Sequence, residues 1–386
     1  MKGDKKKAGV AGSICLDINL LFKSESLIEE GKQIDLSDVK FTLGGCVGNT
    51  GLALAALGIP VKLFYKVGDD MVGKVVSSMI EDYAIETEAK TIFGSSSSSS
   101  TIITQPGKDR TILHKRGVSQ SITEDDITED FLSDIDLFHF GYPPKMKELW
   151  KEKGAHMAYL LKKVQAKKIA TSVDMCMPNN GDDYSYMEAF LPYVDIFMPS
   201  YEEMLRLLMP EEYKRINETA NGRNIIDFIS EKTIVEIATW LIDCGVHIVL
   251  LKIGKKGLYL KTDNRASLIP SLALSEKWNN RELWIAPKYI EKTISTIGAG
   301  DTAIAGFLAS LLEASLPEEA LSVASCTAAK CIESEDRGHR LPIFTEIEKT
   351  ALGTYEQEEL SIGLSNWKKE GLIFYGPNDK ERRIRQ

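Results

Sequence analysis

None of the six cysteines (Cys15, Cys46, Cys176, Cys244, Cys326 and Cys331) forms a CxxC pair. That excludes a recognisable disulfide framework and favours reduced thiols in a cytoplasmic protein. Histidine is scarce, and the five residues at 114, 139, 156, 247 and 339 are too dispersed for a metal cluster. No uninterrupted apolar run reaches membrane-spanning length. A formal net charge of −9 argues against a general nucleic-acid surface. No strand is followed by Gly-x-Gly-x-x-Gly and a later acid, which excludes a dinucleotide oxidoreductase. The basic start, Met1 to Lys7, and the apolar Ala8 to Phe22 imitate a secretion signal. Asp17 and Asn19 interrupt that run and no small-x-small cleavage site follows, so residues 9–16 read as a buried strand with Asp17 just after it.

What is present centres on Thr296-Ile297-Gly298-Ala299-Gly300-Asp301-Thr302. Small and apolar residues follow at helical spacing through Ala305, Phe307, Leu308, Leu311 and Leu312. Glycines let backbone N–H groups turn toward a ligand without interference from a Cβ. A helix start adds unpaired N–H groups and the positive end of its dipole. An anion is welcome there. Asp301 placed at that spot can accept a proton from a hydroxyl while the N–H groups stabilise charge on a phosphoryl group.

Strand and helix signals alternate along most of the chain. Strands are expected at 61–67, 137–140, 169–174, 194–198, 248–252 and 258–261. Helices are expected at 47–57, from Gly68-Asp69-Asp70 to about Tyr83, and over 145–166, 186–191, 201–208 and 235–243. That rhythm predicts a mainly parallel sheet covered on both faces, with ligands at the carboxyl ends of strands. Two segments, about 18–43 and 91–116, do not fit it and suggest a small β layer. The second contains a run of six serines (95–100), read as a loop or strand edge. A hairpin turn at Gly107-Lys108-Asp109 follows it. Residues 210–230 and 264–292 read as irregular, and 355–386 as a charged extension with an apolar anchor at Trp367 and Leu372 to Phe374.

Four short motifs occur in order: Gly44-Gly45-Cys46-Val47-Gly48-Asn49, Gly68-Asp69-Asp70-Met71-Val72-Gly73, Gly254-Lys255-Lys256-Gly257 and the Gly298–Asp301 stretch. Their order and spacing resemble those of the PfkB/ribokinase family of carbohydrate kinases, over about residues 9–335. The resemblance implies a three-layer α/β/α ribokinase-like fold with a mainly parallel central sheet and a small β lid. It implies a kinase domain over 8–350 and a C-terminal extension over 351–386. It also implies ATP and Mg²⁺, a small sugar or sugar-like acceptor, and a homodimer formed through the lid.

By the same resemblance Asp301 is the catalytic base, and Gly298, Ala299 and Gly300 form the anion hole. Asp17, Gly45 and Asn49 match positions that bind sugar hydroxyls. Asp17 could equally cap a strand end, and Asn49 its helix. Ser200 and Glu203 fall where the family has Asn-x-x-Glu, with Glu203 orienting Mg²⁺ through water. The alternative for Glu203 is a solvated helix face. Lys252, Gly254 and Gly257 lie at the expected nucleotide site. Lys252 either neutralises phosphate charge or points to water. Ser295 replaces a common Asp at a position associated with a monovalent cation, which puts potassium activation in doubt. Asp174 ends a strand at the expected crevice, and Arg110 and Arg116 flank a hairpin strand. Gly68 to Lys74 nearly spells a phosphate-binding P-loop. Val75 stands where that loop needs Ser or Thr, so the stretch reads as a structural turn. The reading is an ATP-dependent kinase acting on a hydroxymethyl group. A nucleoside kinase and a non-catalytic sugar- or nucleotide-binding regulator are the alternatives.

Overall fold

The computed structural model describes residues 5–23, 30–105, 110–177, 186–334, 339–353, 355–360, 362–364 and 366–381. The expected turn at 107–109 lies outside the described residues. Fifteen strands occur among the described residues, in chain order β1 (Ala8–Gly12), β2 (Cys15–Phe22), β3 (Leu36–Gly44), β4 (Val61–Gly68), β5 (Glu86–Ile92), β6 (Ser99–Thr104), β7 (Thr111–Lys115), β8 (Leu137–Gly141), β9 (Ala170–Val173), β10 (Ile196–Phe197), β11 (Ile248–Lys252), β12 (Leu258–Thr262), β13 (Glu282–Ile285), β14 (Lys368–Glu370) and β15 (Ile373–Tyr375). Eleven of them form one sheet in the order β14-β15-β13-β12-β11-β10-β9-β8-β1-β4-β5. From β11 to β5 all neighbours are parallel, and from β12 to β14 all are antiparallel.

The inner strands of the large sheet are buried on both faces and read as largely apolar runs, whereas its edge strands β5 and β14 are mostly polar and largely exposed. Successive side chains go to opposite layers. Val10, Leu63 and Leu250 pack with the helices Ala299–Leu312 and Pro317–Ile332, whereas Ala11, Phe64 and Leu251 pack with Lys151–Ala166, Tyr201–Leu208 and Glu231–Asp243. This is the three-layer α/β/α arrangement expected.

A second sheet, β3-β2-β6-β7, stands apart as the expected lid. β2 runs antiparallel to β3 and parallel to β6, and β6 forms a hairpin with β7. Its two faces differ. Direct cross-strand partners point the same way, so Thr42, Asp17, Ser100 and His114 make one polar row across the sheet. Phe41, Ile18, Thr101 and Leu113 make the row on the opposite face.

Several local expectations need correction. The first strand ends at Gly12, and Asp17 is an interior residue of β2 in the small sheet rather than the residue after a core strand. The polarity of Asp17 and Asn19 marks the passage from one sheet to the other. Residues 91 and 92 belong to β5 of the large sheet, so the lid's second segment starts at β6. Lys145 ends a short 3₁₀ turn and residues 146–150 are not helical; Glu152, Lys153 and Gly154 all have positive φ, and the regular helix runs beyond them. Residues 210–220 form a helix with Pro210 in its first turn, and 264–292 include β13. Both Trp278 and Trp284 are core residues. The C-terminal segment supplies β14 and β15 to the large sheet, antiparallel to β13.

The Gly68 to Lys74 turn is structural. Asp70 caps the helix Met71–Glu81 by accepting the Gly73 N–H at 2.9 Å. Its other oxygen accepts the N–H of Ser97 at 3.0 Å, so the carboxylate fills the space a phosphate would need. The serine run is hydrogen-bonded rather than loose: Ser97 Oγ accepts from Gly68 N–H, and Ser98 Oγ from Gly117 N–H.

Candidate active site

Asp301 sits in the first turn of the helix Ala299–Leu312. Gly298 precedes it with φ +80°, a conformation that glycine enters without a Cβ penalty. The N–H groups of Gly298, Gly300 and Asp301 have no hydrogen-bond acceptor among the described residues. They are the orphan donors of a helix start. Lys252 comes from the end of β11 and runs beside Gly300: a Cβ there would lie 3.9 Å from Nζ. The turn therefore carries donors and an ammonium group together.

Lys252 is not a strand-end residue pointing to water. Its side chain is 13% exposed and Nζ is 2.7 Å from Asp174 Oδ1. Asp174 follows β9 and is buried, which closes the alternative of a solvated lysine. Burial by itself would lower the Lys252 pKa, but Asp174, Glu203 and Asp301 outweigh it and raise it. Burial pushes Asp174 above the ordinary carboxylate range, and Lys252 opposes that shift.

The Asp301 carboxylate is held on both oxygens. Asn49 Nδ2 donates to Oδ2 at 2.9 Å, and the Tyr142 hydroxyl donates to Oδ1 at 2.5 Å. Burial raises the Asp301 pKa, while Lys252, Tyr142 and Asn49 work against it. Tyr142 stays protonated because burial and the nearby Asp301 and Asp174 push its phenol well up.

Tyr142 did not emerge from the sequence. It follows β8, precedes Pro143-Pro144 and takes the left-handed conformation (φ 60°, ψ 47°). For a bulky residue that costs about 1–3 kcal/mol. A tyrosine at the carboxyl end of a parallel strand was the available signal. Its hydrogen bond favours the ionised form of Asp301, so Tyr142→Phe should raise the Asp301 pKa further. The acid limb of a kcat/KM–pH profile should move to higher pH. A limb that stays in place or moves down would show that Tyr142 does not tune the base.

The predicted acceptor residues cluster by way of the lid. Asn49 is in the helical turn after β3 and bonds Asp301 directly. That bond, rather than capping, fixes its amide. The Asn49 Oδ1 is buried with no hydrogen-bond partner among the described residues, and so is Ser13 Oγ. Gly45 has φ +79°, and a Cβ there would be 2.5 Å from the Ser13 carbonyl oxygen. Asp17 is buried on the lid's polar face against Gly44, whose Cβ would be 2.5 Å from Asp17 Oδ2. Ser13, like Tyr142, was missed, because a serine between two strands carries no signal of its own.

Ser200 and Glu203 have a structural explanation that the sequence already contained. They form a capping box: Ser200 Oγ accepts the Glu203 N–H at 3.2 Å, and Glu203 Oε2 accepts the Ser200 N–H at 2.8 Å. Burial raises the Glu203 pKa, opposed by Lys252 and the Ser200 N–H. Glu203 is half-buried and shares the electrostatic field of Lys252 and Asp301, so it is not a solvated-face residue. Gly257 (φ +81°) packs its Cα against the Ile285 carbonyl, which a Cβ would meet at 2.0 Å. Around Gly254 there is open space. The turn that contains both follows Lys252, at the same end of β11 as Gly300. Ser295 Oγ accepts the Ile297 N–H at 3.2 Å. Arg110 of the lid reaches Thr296 Oγ1 at 3.0 Å, so the lid hairpin touches the start of the glycine turn.

The fold has counterparts among known proteins. The structure of Arabidopsis thaliana ribokinase with ribose and ATP superposes with a TM-score of 0.68 at 19% identity, covering 91% of this chain and 100% of that one. A putative ribokinase II from E. coli, with ATP and Mg²⁺, gives 0.65 at 16% identity over 89% and 98% of the two chains. In sequence, a sugar kinase of Archaeoglobus fulgidus is 25% identical over 291 residues, 75% of this chain and 98% of its own length. Residues 5–343 match the pfkB family carbohydrate kinase profile. The chain belongs to the pfkB family and is a carbohydrate kinase.

Proposed function

We propose that the protein transfers the γ-phosphoryl group of ATP to a hydroxymethyl group of a small sugar or sugar derivative. The observation that carries this reading is the single turn at Gly298–Asp301. It combines a held carboxylate, unsatisfied N–H donors and the Lys252 ammonium. Asp301 takes the hydroxyl proton as the acceptor oxygen bonds to phosphorus and the bond to the bridging oxygen of ADP breaks. The N–H groups of Gly298 and Gly300 and the Lys252 ammonium receive the charge on the phosphoryl oxygens, whereas the Ala299 N–H, also expected to contribute, is given to the Thr296 carbonyl at 3.4 Å. Asp174 holds Lys252 in place until phosphate competes for it.

Asn49 Oδ1 and Ser13 Oγ, buried and unpartnered, are suited to acceptor hydroxyls, together with Asp17 and the backbone at Gly45. The polar row on the lid supports a sugar over a nucleobase, because Thr42, Asp17 and Ser100 offer partners for hydroxyls. Ser200, Gly254 and Gly257 border the nucleotide in this reading.

Glu203 fits a Mg²⁺ role through water, since its Oε1 has no hydrogen-bond partner among the described residues. No group of three His, Cys, Asp or Glu side chains suited to holding an ion directly occurs among the described residues. When bound, Mg²⁺ neutralises the ATP phosphates.

The lid's outer face exposes Val39, Phe41 (55%) and Leu113 (58%). With the family resemblance, that apolar face supports a homodimer formed lid to lid. Sedimentation as a monomer at micromolar concentration would sink the dimer. No helix among the described residues is long and apolar enough to cross a membrane. We place the protein in the cytoplasm, on the free cysteines and the use of ATP.

A coupled ATP-consumption screen over hexoses, pentoses, sugar acids, sugar phosphates and nucleosides tests the reaction. One acceptor class should stimulate ATP turnover strongly. Stimulation by none of them would overturn the reading and favour a binding regulator. Run in sodium and in potassium buffers, the screen also tests the expectation that Ser295 leaves no potassium requirement.

A further inference from the structure

The charges around the candidate site do not all pair off. Lys252 has Asp174, and the Glu203 carboxylate caps its own helix. Lys145 has no such partner. It ends the short turn Pro143–Lys145 that follows Tyr142, and its backbone N–H is bonded to the Tyr142 carbonyl at 2.9 Å. Its Nζ lies 5.1 Å from the centroid of the Tyr142 ring, the ring whose hydroxyl bonds Asp301. Among the described residues its ammonium makes no hydrogen bond or ion pair. Both prolines before it are buried, which fixes the turn.

The lid adds to this. His114 stands in the polar row with Asp17 and Ser100, its Nδ1 3.0 Å from Ser100 Oγ. Burial lowers the His114 pKa, and the charges of Lys145 and Arg116 lower it further. His114 is therefore neutral near pH 7 and can donate one N–H. Arg116, just beyond β7, also has no ion-pair partner among the described residues. Burial raises the pKa of Cys15 on the lid and of Asp301 on the helix, and the charge of Lys145 acts on both to lower it.

We infer that the acceptor carries a terminal anion, a carboxylate or a phosphate, and that Lys145, with Arg116 and His114, receives it. The inference rests on the proposed kinase reaction. A neutral sugar bound beneath the lid would take water from the Lys145 ammonium and return only hydroxyl dipoles. Desolvating an ammonium without a counter-ion is costly. An anion on the acceptor restores the balance at the end remote from the hydroxymethyl group. Such a charge also pulls the acceptor toward one orientation, with its free hydroxyl at Asp301. The competing account is that Lys145 only offsets the charge of Asp301.

Matched acceptors separate the two accounts. Gluconate carries a carboxylate where glucitol has a hydroxymethyl group, and fructose 6-phosphate carries a phosphate where fructose has a hydroxyl. Wild type should favour the anionic member of at least one pair, and which pair shows whether carboxylate or phosphate is read. Lys145→Met should lower kcat/KM for that anion by roughly 10- to 150-fold more than for its neutral partner, mainly through KM. Preference of the wild type for the neutral member of both pairs would overturn the inference and leave the kinase reading intact. An equal loss on both members, carried by kcat, would also overturn it and leave Lys145 as a charge offset for Asp301. If no acceptor stimulates ATP consumption, the kinase reading fails. Calorimetric binding of gluconate and fructose 6-phosphate to wild type and to Lys145→Met then decides the anion site by itself. Binding that is lost in the variant supports the site, and absence of binding to wild type overturns it.

Discussion

Asp301→Asn should lower kcat by about 10²- to 10⁴-fold, the usual range for removing a general base. The amide has nearly the shape of the carboxylate; its oxygen can still accept from Tyr142, and its –NH2 can donate to the Asn49 Oδ1 once the Asn49 amide turns over. The orphan N–H groups at Gly298 and Gly300 are untouched. ATP affinity should therefore change little, and can be read by calorimetry or by a fluorescent nucleotide. A kcat within tenfold of wild type on the true acceptor would show that Asp301 is not the base. Lys252 supplies a graded comparison. Lys252→Met removes one positive group at the phosphoryl oxygens and should cost about 10²- to 10³-fold in kcat, the range for a lost oxyanion donor. Combining it with Asp174→Asn avoids leaving a buried carboxylate alone. If the double variant turned over like wild type, Lys252 would have no role in transfer.

Asp379→Ala should be the most damaging single change for stability outside the site. Asp379 is fully buried, and its Oδ2 accepts from Arg281 Nε at 3.0 Å and from Glu282 N–H at 2.8 Å. Arg281 is only 1% exposed and also pairs with Glu318. Without Asp379 the guanidinium keeps part of its compensation but loses its most buried partner. Removing one member of a buried pair costs about 3–5 kcal/mol. The urea midpoint should fall clearly, while KM for ATP measured well below it should hold. A loss under about 1 kcal/mol would mean that water or Glu318 fully replaces Asp379. The same contacts explain why the last 30 or so residues matter. Trp367 stacks edge-on with Trp284 and Tyr259 at 5.9 and 6.1 Å, so truncation before β14 would uncover core aromatics and the edge of β13.

The sequence by itself determined the rhythm of the fold and the chemistry of the turn. Strands buried on both faces must be continuously apolar, and the helix after Gly298 must be small and apolar to pack between layers; both patterns are local in the chain. The Gly-Ala-Gly-Asp turn was legible for the same reason, since its donors and its acid are adjacent residues. The Ser200–Glu203 capping box is equally local, since its two partners are three residues apart.

The tertiary structure decided what depends on residues far apart in the chain. Asn49 meets Asp301 across 252 positions, and Tyr142 meets it across 159. Lys252 became a buried partner of Asp174 only when β9 and β11 came to lie on either side of β10. Asp17 moved from a strand end into the lid because the chain changes sheets after Gly12, a step with no local signature beyond two polar residues. The C-terminal strands were hidden because their pairing with β13 depends on side chains, such as Arg281 and Asp379, whose charges read as surface residues in sequence. Local pattern records what each segment prefers. Which distant segments share one buried, low-dielectric space is set by packing, and that space decides which charges pair and which are left for a ligand.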